Sequence, residues 1–326
     1  MNEIPSFLPG IEPAYLKILE IFHPYAFNKI LAAFTSRQRF VHYTTADTAL
    51  KILSRREVWL RKSTCMNDFM EIEHGFECLQ FAYKNNRDDW DRTLNAIYPD
   101  LSEKLEKKYN SWLPTFRSDT FLACVSEHLD DEDRLGRLSM WRAYGGKAGV
   151  ALVLNGFPLI NPTDALGAYT SPVAYLSKFR FELEFKALIK SLIENIGFIK
   201  QQNEDTVLSQ LFEVFRMATL CNKHPGFAEE REWRIIYSPS YSKSDRILSG
   251  IESIGGVPQI IHKIPLKDEP KENLVGIEIP QFIESIVIGP SEFPWEIKEA
   301  LELVLKDAGV EDAASKINVS DIPLRS

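Results

Sequence analysis

The sequence predicts an α+β fold: a central mixed sheet of short strands with helical insertions grouped around it. Three observations carry that expectation. Short apolar or alternating runs recur along the chain, long enough for strands and too short for typical helices. Stretches rich in Glu, Lys and Leu at helical spacing collect in two blocks, about 71–112 and 179–221. Strands and helices do not alternate regularly enough for a doubly wound sheet.

In chain order, residues 1–35 hold Pro5, Pro9 and Pro13 and then an apolar-rich pattern from Tyr15 to Phe34 broken at Pro24, which predicts a short helical lead-in. Residues 36–326 follow as one domain with the two helical insertions. Arg39–Thr44 is the first strand, and Thr44 followed by Asp47 suits a helix start before Ala46–Arg55. Val58–Ser63 alternates as a second strand and leads into the polar loop Thr64–Asp68. The block at 71–112 predicts two helices broken near Asn85-Asn86 and Pro99. Phe121–Ser126 suits a buried strand, Asp130–Asp133 a solvated acidic loop, Ser139–Tyr144 two helical turns stopped by Gly145-Gly146, and Gly149–Leu154 another strand. A strand at Pro172–Leu176, helices at about 179–198 and 203–221, strands near Ile260–Ile264 and Ser285–Ile288, a helix Trp295–Lys306 and a polar tail complete the chain.

The 326 residues are 44% hydrophobic and 26% charged, the composition of an ordinary soluble globular protein able to bury a core. A net charge of -8 argues against a broad basic surface for nucleic acid, which needs clustered Lys and Arg, while leaving room for a local basic groove. The four cysteines form no C-x-x-C pair, and the six histidines never fall at ligand spacing, so no metal site is signalled. The N-terminus lacks a signal-peptide pattern, and no run approaches the ~18 apolar residues of a membrane span; the expected location is the cytoplasm. Gly145–Gly149 lacks the first glycine and the hydroxyl of a phosphate loop and is assigned as a turn.

The stretch Phe227–Tyr237 draws the most attention. Extended from Glu230, it puts Glu230, Glu232, Arg234 and Ile236 on one face and Arg231, Trp233, Ile235 and Tyr237 on the other. Carboxylate, carboxylate and guanidinium in a row belong either on a solvated edge or along a cleft that uses them. His42, followed by Tyr43 and Thr44, is either a satisfied structural residue or a group that holds a ribose or an amide. Asn67-Asp68 is either a plain turn or a ligand-facing loop, and Trp141 with Tyr144 is either core or a stacking surface at a cleft rim.

In five ordered blocks the chain resembles the bacterial DUF2971 family over nearly its whole length: Val41–Thr44; Asn67-Asp68 with Glu71; Cys124–Ser126 with Met140, Trp141 and Tyr144; Glu230–Ile236; and Ile286–Pro290. It is more distantly similar to ADP-ribosyltransferase-like proteins, including DNA-modifying toxins, which open with a histidine-aromatic-threonine strand and carry a late E-x-E. That similarity implies an effector, in toxin or anti-phage defence, that cleaves NAD as its substrate and modifies a macromolecular acceptor. In it Glu232 stabilises the ribose cation, Glu230 serves the acceptor, and His42 with Thr44 fixes ribose and amide. Ser63 and Asn67 join the nucleotide-binding set, Trp141 or Tyr144 stacks on nicotinamide, and Arg234 meets pyrophosphate. The alternative is a non-catalytic module that binds a nucleotide or a partner protein.

Overall fold

The computed structural model describes residues 12–65 and 71–323, with the backbone alone at Glu71. The chain forms two compact units, one from Met1–Leu31, Asp68–Arg117 and Ala174–Gly226, the other from Ala32–Asn67, Ser118–Val173 and Phe227–Ser326. The strands, in chain order, are β1 (Arg39–Thr45), β2 (Glu57–Lys62), β3 (Phe121–His128), β4 (Gly149–Leu154), β5 (Ala168–Pro172), β6 (Ala174–Tyr175), β7 (Asn222–Lys223), β8 (Glu232–Tyr237), β9 (Leu248–Ile254), β10 (Val257–Pro265), β11 (Ile283–Ile288) and β12 (Ile317–Val319). The architecture is α+β, with a central mixed sheet and helical insertions.

Among the described residues the first unit is helical apart from the parallel pair β6–β7. Its first insertion holds three helices, Glu71–Asn85, Arg87–Ile97 and Leu101–Ser118, where the sequence predicts two. Both predicted breaks exist, and each separates a pair of these helices. The second insertion holds Lys178–Glu194, Ile196–Ile199 and Glu204–Leu220. Ser177 and Asn203 cap two of them, their side chains accepting the N–H of Arg180 at 3.4 Å and of Thr206 at 2.7 Å. Trp90 stacks on Phe215 at 5.4 Å between ring centroids, and the Tyr109 hydroxyl meets Thr219 Oγ1 at 2.6 Å in the same core.

The second unit is built on a ten-stranded sheet ordered β12-β11-β4-β1-β3-β2-β10-β9, with β8 on the remaining edge of β3 and β5 beyond it. Among the described residues of this sheet only β11 and β12 run parallel; both β12 and β9 go unpredicted by the sequence. Thr45, not Thr44, caps the helix Ala46–Arg55, because β1 runs one residue further than predicted; its hydroxyl accepts the Thr48 N–H at 3.3 Å. The acidic run is no solvated loop throughout: Glu132 is buried against Arg137, and Asp133 takes Arg39 and His128 at 2.8 Å each.

β3 has an unusual load. Phe121 pairs with Tyr237 of β8 and with Lys62 of β2, while Ser126 pairs with Glu232 of β8 and with Val41 of β1. Strands β1 and β2 therefore share one edge of β3, and they diverge along it. The gap is bridged by a side chain, His42, whose Nδ1–H donates to the Cys124 carbonyl at 2.9 Å. Nearby, His262 sits edge-on to Phe121 and Tyr237, at 4.2 and 5.1 Å, and its buried Nδ1 has no hydrogen-bond partner among the described residues.

Burial holds both His42 and His262 below the ordinary histidine value. The unfolded chain takes up these protons near pH ~6.5 while the folded chain resists them, so protons favour unfolding. Thermal unfolding midpoints are expected to hold steady above pH ~6.5 and to fall between there and pH ~5, with a shallower slope in His262→Leu. A midpoint flat across that window would contradict the assignment of neutral, buried rings. The carboxylates held low, Glu132 and Asp133 among them, act in the same direction only at more acidic pH.

Candidate functional site

Strand register assigns the side chains around β8 to two faces, because directly opposed residues in an antiparallel ladder project the same way. Arg234 lies between Cys124 and Ser171, and Glu232 lies opposite Ser126. Leu122 lies between Ile236 and Arg61. A further backbone bond, from Ser63 N–H to the Thr120 carbonyl at 2.9 Å, extends the pairing of β2 with β3 and carries Ser63 to the Arg61 face. Thr120 Oγ1 meets Ser238 Oγ at 3.5 Å to close that row. On the reverse stand Leu60, Phe121, Val125, Trp233, Ile235 and Tyr237.

Both faces are buried, and only the reverse one has the apolar composition that burial normally selects. On the polar face Arg234 is 0% exposed and Glu232 6%, with Ser126, Ser171, Ser63 and Ser238 all buried. Taking the two charges out of water costs several kcal/mol per ion. The offset is direct: Arg234 Nε donates to Glu232 Oε1 at 2.8 Å, with Nη2 3.5 Å from Oε2. Positions i and i+2 of one strand share a face, which is what lets this pair form locally.

The predicted partnership of His42 with Glu232 does not hold. Phe40, His42 and Thr44 share one side of β1, and Phe40 packs edge-on against Trp233 at 5.1 Å. Trp233 also donates Nε1–H to Glu127, at 3.0 Å, on that same side. His42 and Thr44 therefore lie on the reverse face, and Glu232 and Arg234 on the polar one. His42 is spent on the Cys124 carbonyl, a backbone partner. Tyr43 lies on the other side of β1: its hydroxyl accepts the Arg137 N–H at 2.8 Å, and burial pushes the phenol up to about 12.

Glu230 also departs from prediction. It ends a 3₁₀ turn, Pro225–Glu230, and Arg231 follows at φ 46°, so the strand alternation begins only at Glu232. Its carboxylate accepts the Tyr144 hydroxyl at 3.1 Å. The turn is anchored by Arg137, absent from the predicted set, whose Nη1 donates to the carbonyls of Glu229 and Glu230 at 2.7 and 3.2 Å. Arg137 Nε and Arg231 Nη2 both reach Glu132 Oε1, at 3.0 and 2.9 Å. Burial pushes the Glu132 carboxyl up, and the hydrogen bonds from Arg137 and from the Leu129 N–H more than reverse this, holding it below its ordinary value.

Trp141 is core and has no face to offer a nicotinamide. It is 2% exposed, packs edge-on to Tyr43 at 4.8 Å within a cluster that includes Val41, Val153 and Val287, and donates Nε1–H to the Leu135 carbonyl at 2.9 Å. Two glycines make room for the indole. A Cβ at Gly136 would stand 2.6 Å from Cζ2, and one at Gly289 would stand 2.7 Å from Cε3. Tyr144 is half-buried beside this cluster. Asn67 and Asp68 lie outside the described residues, as does the side chain of Glu71.

The structure thus gathers Ser63, Glu232 and Arg234 on one face and separates His42 and Thr44 from them. Arg61, Cys124, Ser126 and Ser171 join that face unpredicted. A polar row at alternate positions, Thr120, Cys124, Ser126 against Glu232, Arg234, Ser238, is present in the sequence but is interrupted at Leu122 and Ile236, and the apolar run of the intervening residues masks it. Among the described residues no helix is long and apolar enough to cross a membrane, and no cluster of three or more His, Cys, Asp or Glu could hold a metal.

Replacing Gly289 by Ala is expected to cost about 1–3 kcal/mol in urea denaturation, the usual penalty of overpacking. An unchanged midpoint would mean that the indole has room the geometry denies.

No curated protein and no solved structure matches the chain. One family model does, described as a protein of unknown function, over a span that includes Trp141, Tyr144, Glu230, Glu232 and Arg234 and leaves out His42, Thr44 and Ser63. That model is DUF2971, and it matches residues 140–235.

Proposed function

We propose that this chain is a recognition module that binds a small anionic ligand of the nucleotide class on the polar face of its sheet. The observation that carries this is the inversion of the sheet's chemistry: a face furnished with the buried Ser63, Ser126, Glu232 and Arg234 and the half-buried Arg61. Folding alone gains little from such a face, because well-packed apolar residues of similar volume often serve stability as well or better. Guanidinium and hydroxyl groups on a preformed rigid sheet are the groups that recognise phosphoryl oxygens.

NAD chemistry with His42 on the ribose and Glu232 on the developing cation requires both groups at one sugar. Their opposite faces favour the binding module over the transferase.

The test is calorimetric titration and thermal unfolding of the full chain with ATP, ADP and NAD, with nicotinamide release followed in the NAD samples. At a hundredfold excess over Kd, binding stabilises by about 2.7 kcal/mol, which raises the midpoint measurably. Binding is expected to disappear in the double variant Glu232→Gln with Arg234→Gln, which removes both charges together and leaves neither ion buried alone. Nicotinamide release by the wild type that vanishes in Glu232→Gln would restore the transferase. Absence of any nucleotide binding would end the proposal.

A further inference from the structure

On the polar face the charged and hydroxyl groups divide into those answered within the protein and those that are not. Arg234 has Glu232, and Thr120 has Ser238. On β2, β9 and β10 the carboxylates Glu57 and Glu252 are both held by Lys263, at 3.0 and 2.8 Å, and Arg55 also pairs with Glu252. Arg61 is left out of this circuit. Its only side-chain partners among the described residues are neutral oxygens, Gln259 Oε1 at 3.2 Å and the Cys65 carbonyl at 2.7 Å.

Those two bonds fix the plane of the guanidinium and use two of its five N–H donors. Burial pulls this guanidinium below its ordinary value, and the titratable groups acting on it are the thiols of Cys65 and Cys124, which are poor counter-ions while protonated. Two residues on, Ser63 is 5% exposed, and its buried hydroxyl has no hydrogen-bond partner among the described residues. A buried hydroxyl left unanswered is destabilising. A half-buried cation without a carboxylate partner among the described residues and a buried hydroxyl without a partner there thus stand in one column of one sheet face, the arrangement that an incoming anion would complete.

We infer that Arg61 and Ser63 form the anion-receiving corner of the polar face, where a phosphoryl group of the ligand docks. This rests on the nucleotide-binding reading above and adds to it the group and the place. The guanidinium offers the phosphoryl oxygens its remaining N–H donors, and the Ser63 hydroxyl donates one more hydrogen bond. The bonds to Gln259 and Cys65 hold the fork in place before the ligand arrives, so little side-chain entropy is lost on binding.

The experiment titrates the full chain with ADP, inorganic pyrophosphate and adenosine, for the wild type and for Arg61→Gln, Arg61→Lys and Ser63→Ala. Arg61→Gln is expected to weaken ADP and pyrophosphate by about tenfold or more, and Arg61→Lys to recover only part of that loss, because an ammonium lacks the fork. Ser63→Ala is expected to weaken both by a smaller factor without loss of folding, which keeps the test open should Arg61→Gln fail to fold. Adenosine affinity is expected to stay the same throughout.

Equal ADP affinity in the wild type, Arg61→Gln and Ser63→Ala would overturn this corner while leaving nucleotide recognition standing. Pyrophosphate binding that depends on Arg61, without binding of ADP, would keep the corner and overturn the nucleotide reading. A wild type that binds neither overturns both.

Discussion

Two strands share one edge of β3, and the rest of the second unit is arranged around that fact. Because β8 takes the other edge from Phe121 to Ser126, β1 is limited to Ser126–His128 and β2 to Phe121 and Leu122. The Cys124 carbonyl falls where the two diverge, and a buried carbonyl left there without a partner would cost about 1–3 kcal/mol. His42 supplies the missing donor. A side chain here does the work of a ladder rung, which is why a histidine with aromatic and hydroxyl neighbours can resemble a catalytic residue and be a structural one.

The shared edge also explains where the chemistry collects. Val41, Tyr43, Ala151, Val153 and Val287 lie under the helix Leu138–Tyr144 as an apolar cluster, and beyond β3 the same face turns polar. The charges there are held in closed arrangements. Arg234 is answered by the residue two positions before it, and Glu132 collects Arg137 and Arg231 at the entrance to β8. Removing one member of such an arrangement strands the other in low dielectric, so these residues behave as units and not as separable contacts.

Much of the fold is legible in the sequence because local pattern decides it. β4 occupies the predicted residues, and the helices of both insertions follow their spacing and their Asn and Pro breaks. What escapes is settled at long range. β9 and β12 exist because each finds a neighbour, and the left-handed backbone at Arg231 ends the alternation that would have kept Glu230 in line with Glu232. Ser63 and the Glu232–Arg234 pair are legible from alternation along one strand. The separation of His42 from them is not, since the face a residue takes depends on register across β1, β3 and β8, which no single segment encodes.

A short block that stands out in a sequence can do so because packing tolerates nothing else. Trp141 and Gly289 belong to two of the blocks behind the family resemblance, and together they explain each other: an indole fully enclosed and a glycine without which it would not fit. Those residues hold the helix Leu138–Tyr144 on the sheet, and that helix carries Tyr144 to Glu230. Specificity for a ligand has to reside in groups that packing and internal pairing leave unexplained. By that criterion the informative residues on the polar face are Arg61, whose partners among the described residues are neutral oxygens, and Ser63, whose hydroxyl has no partner there.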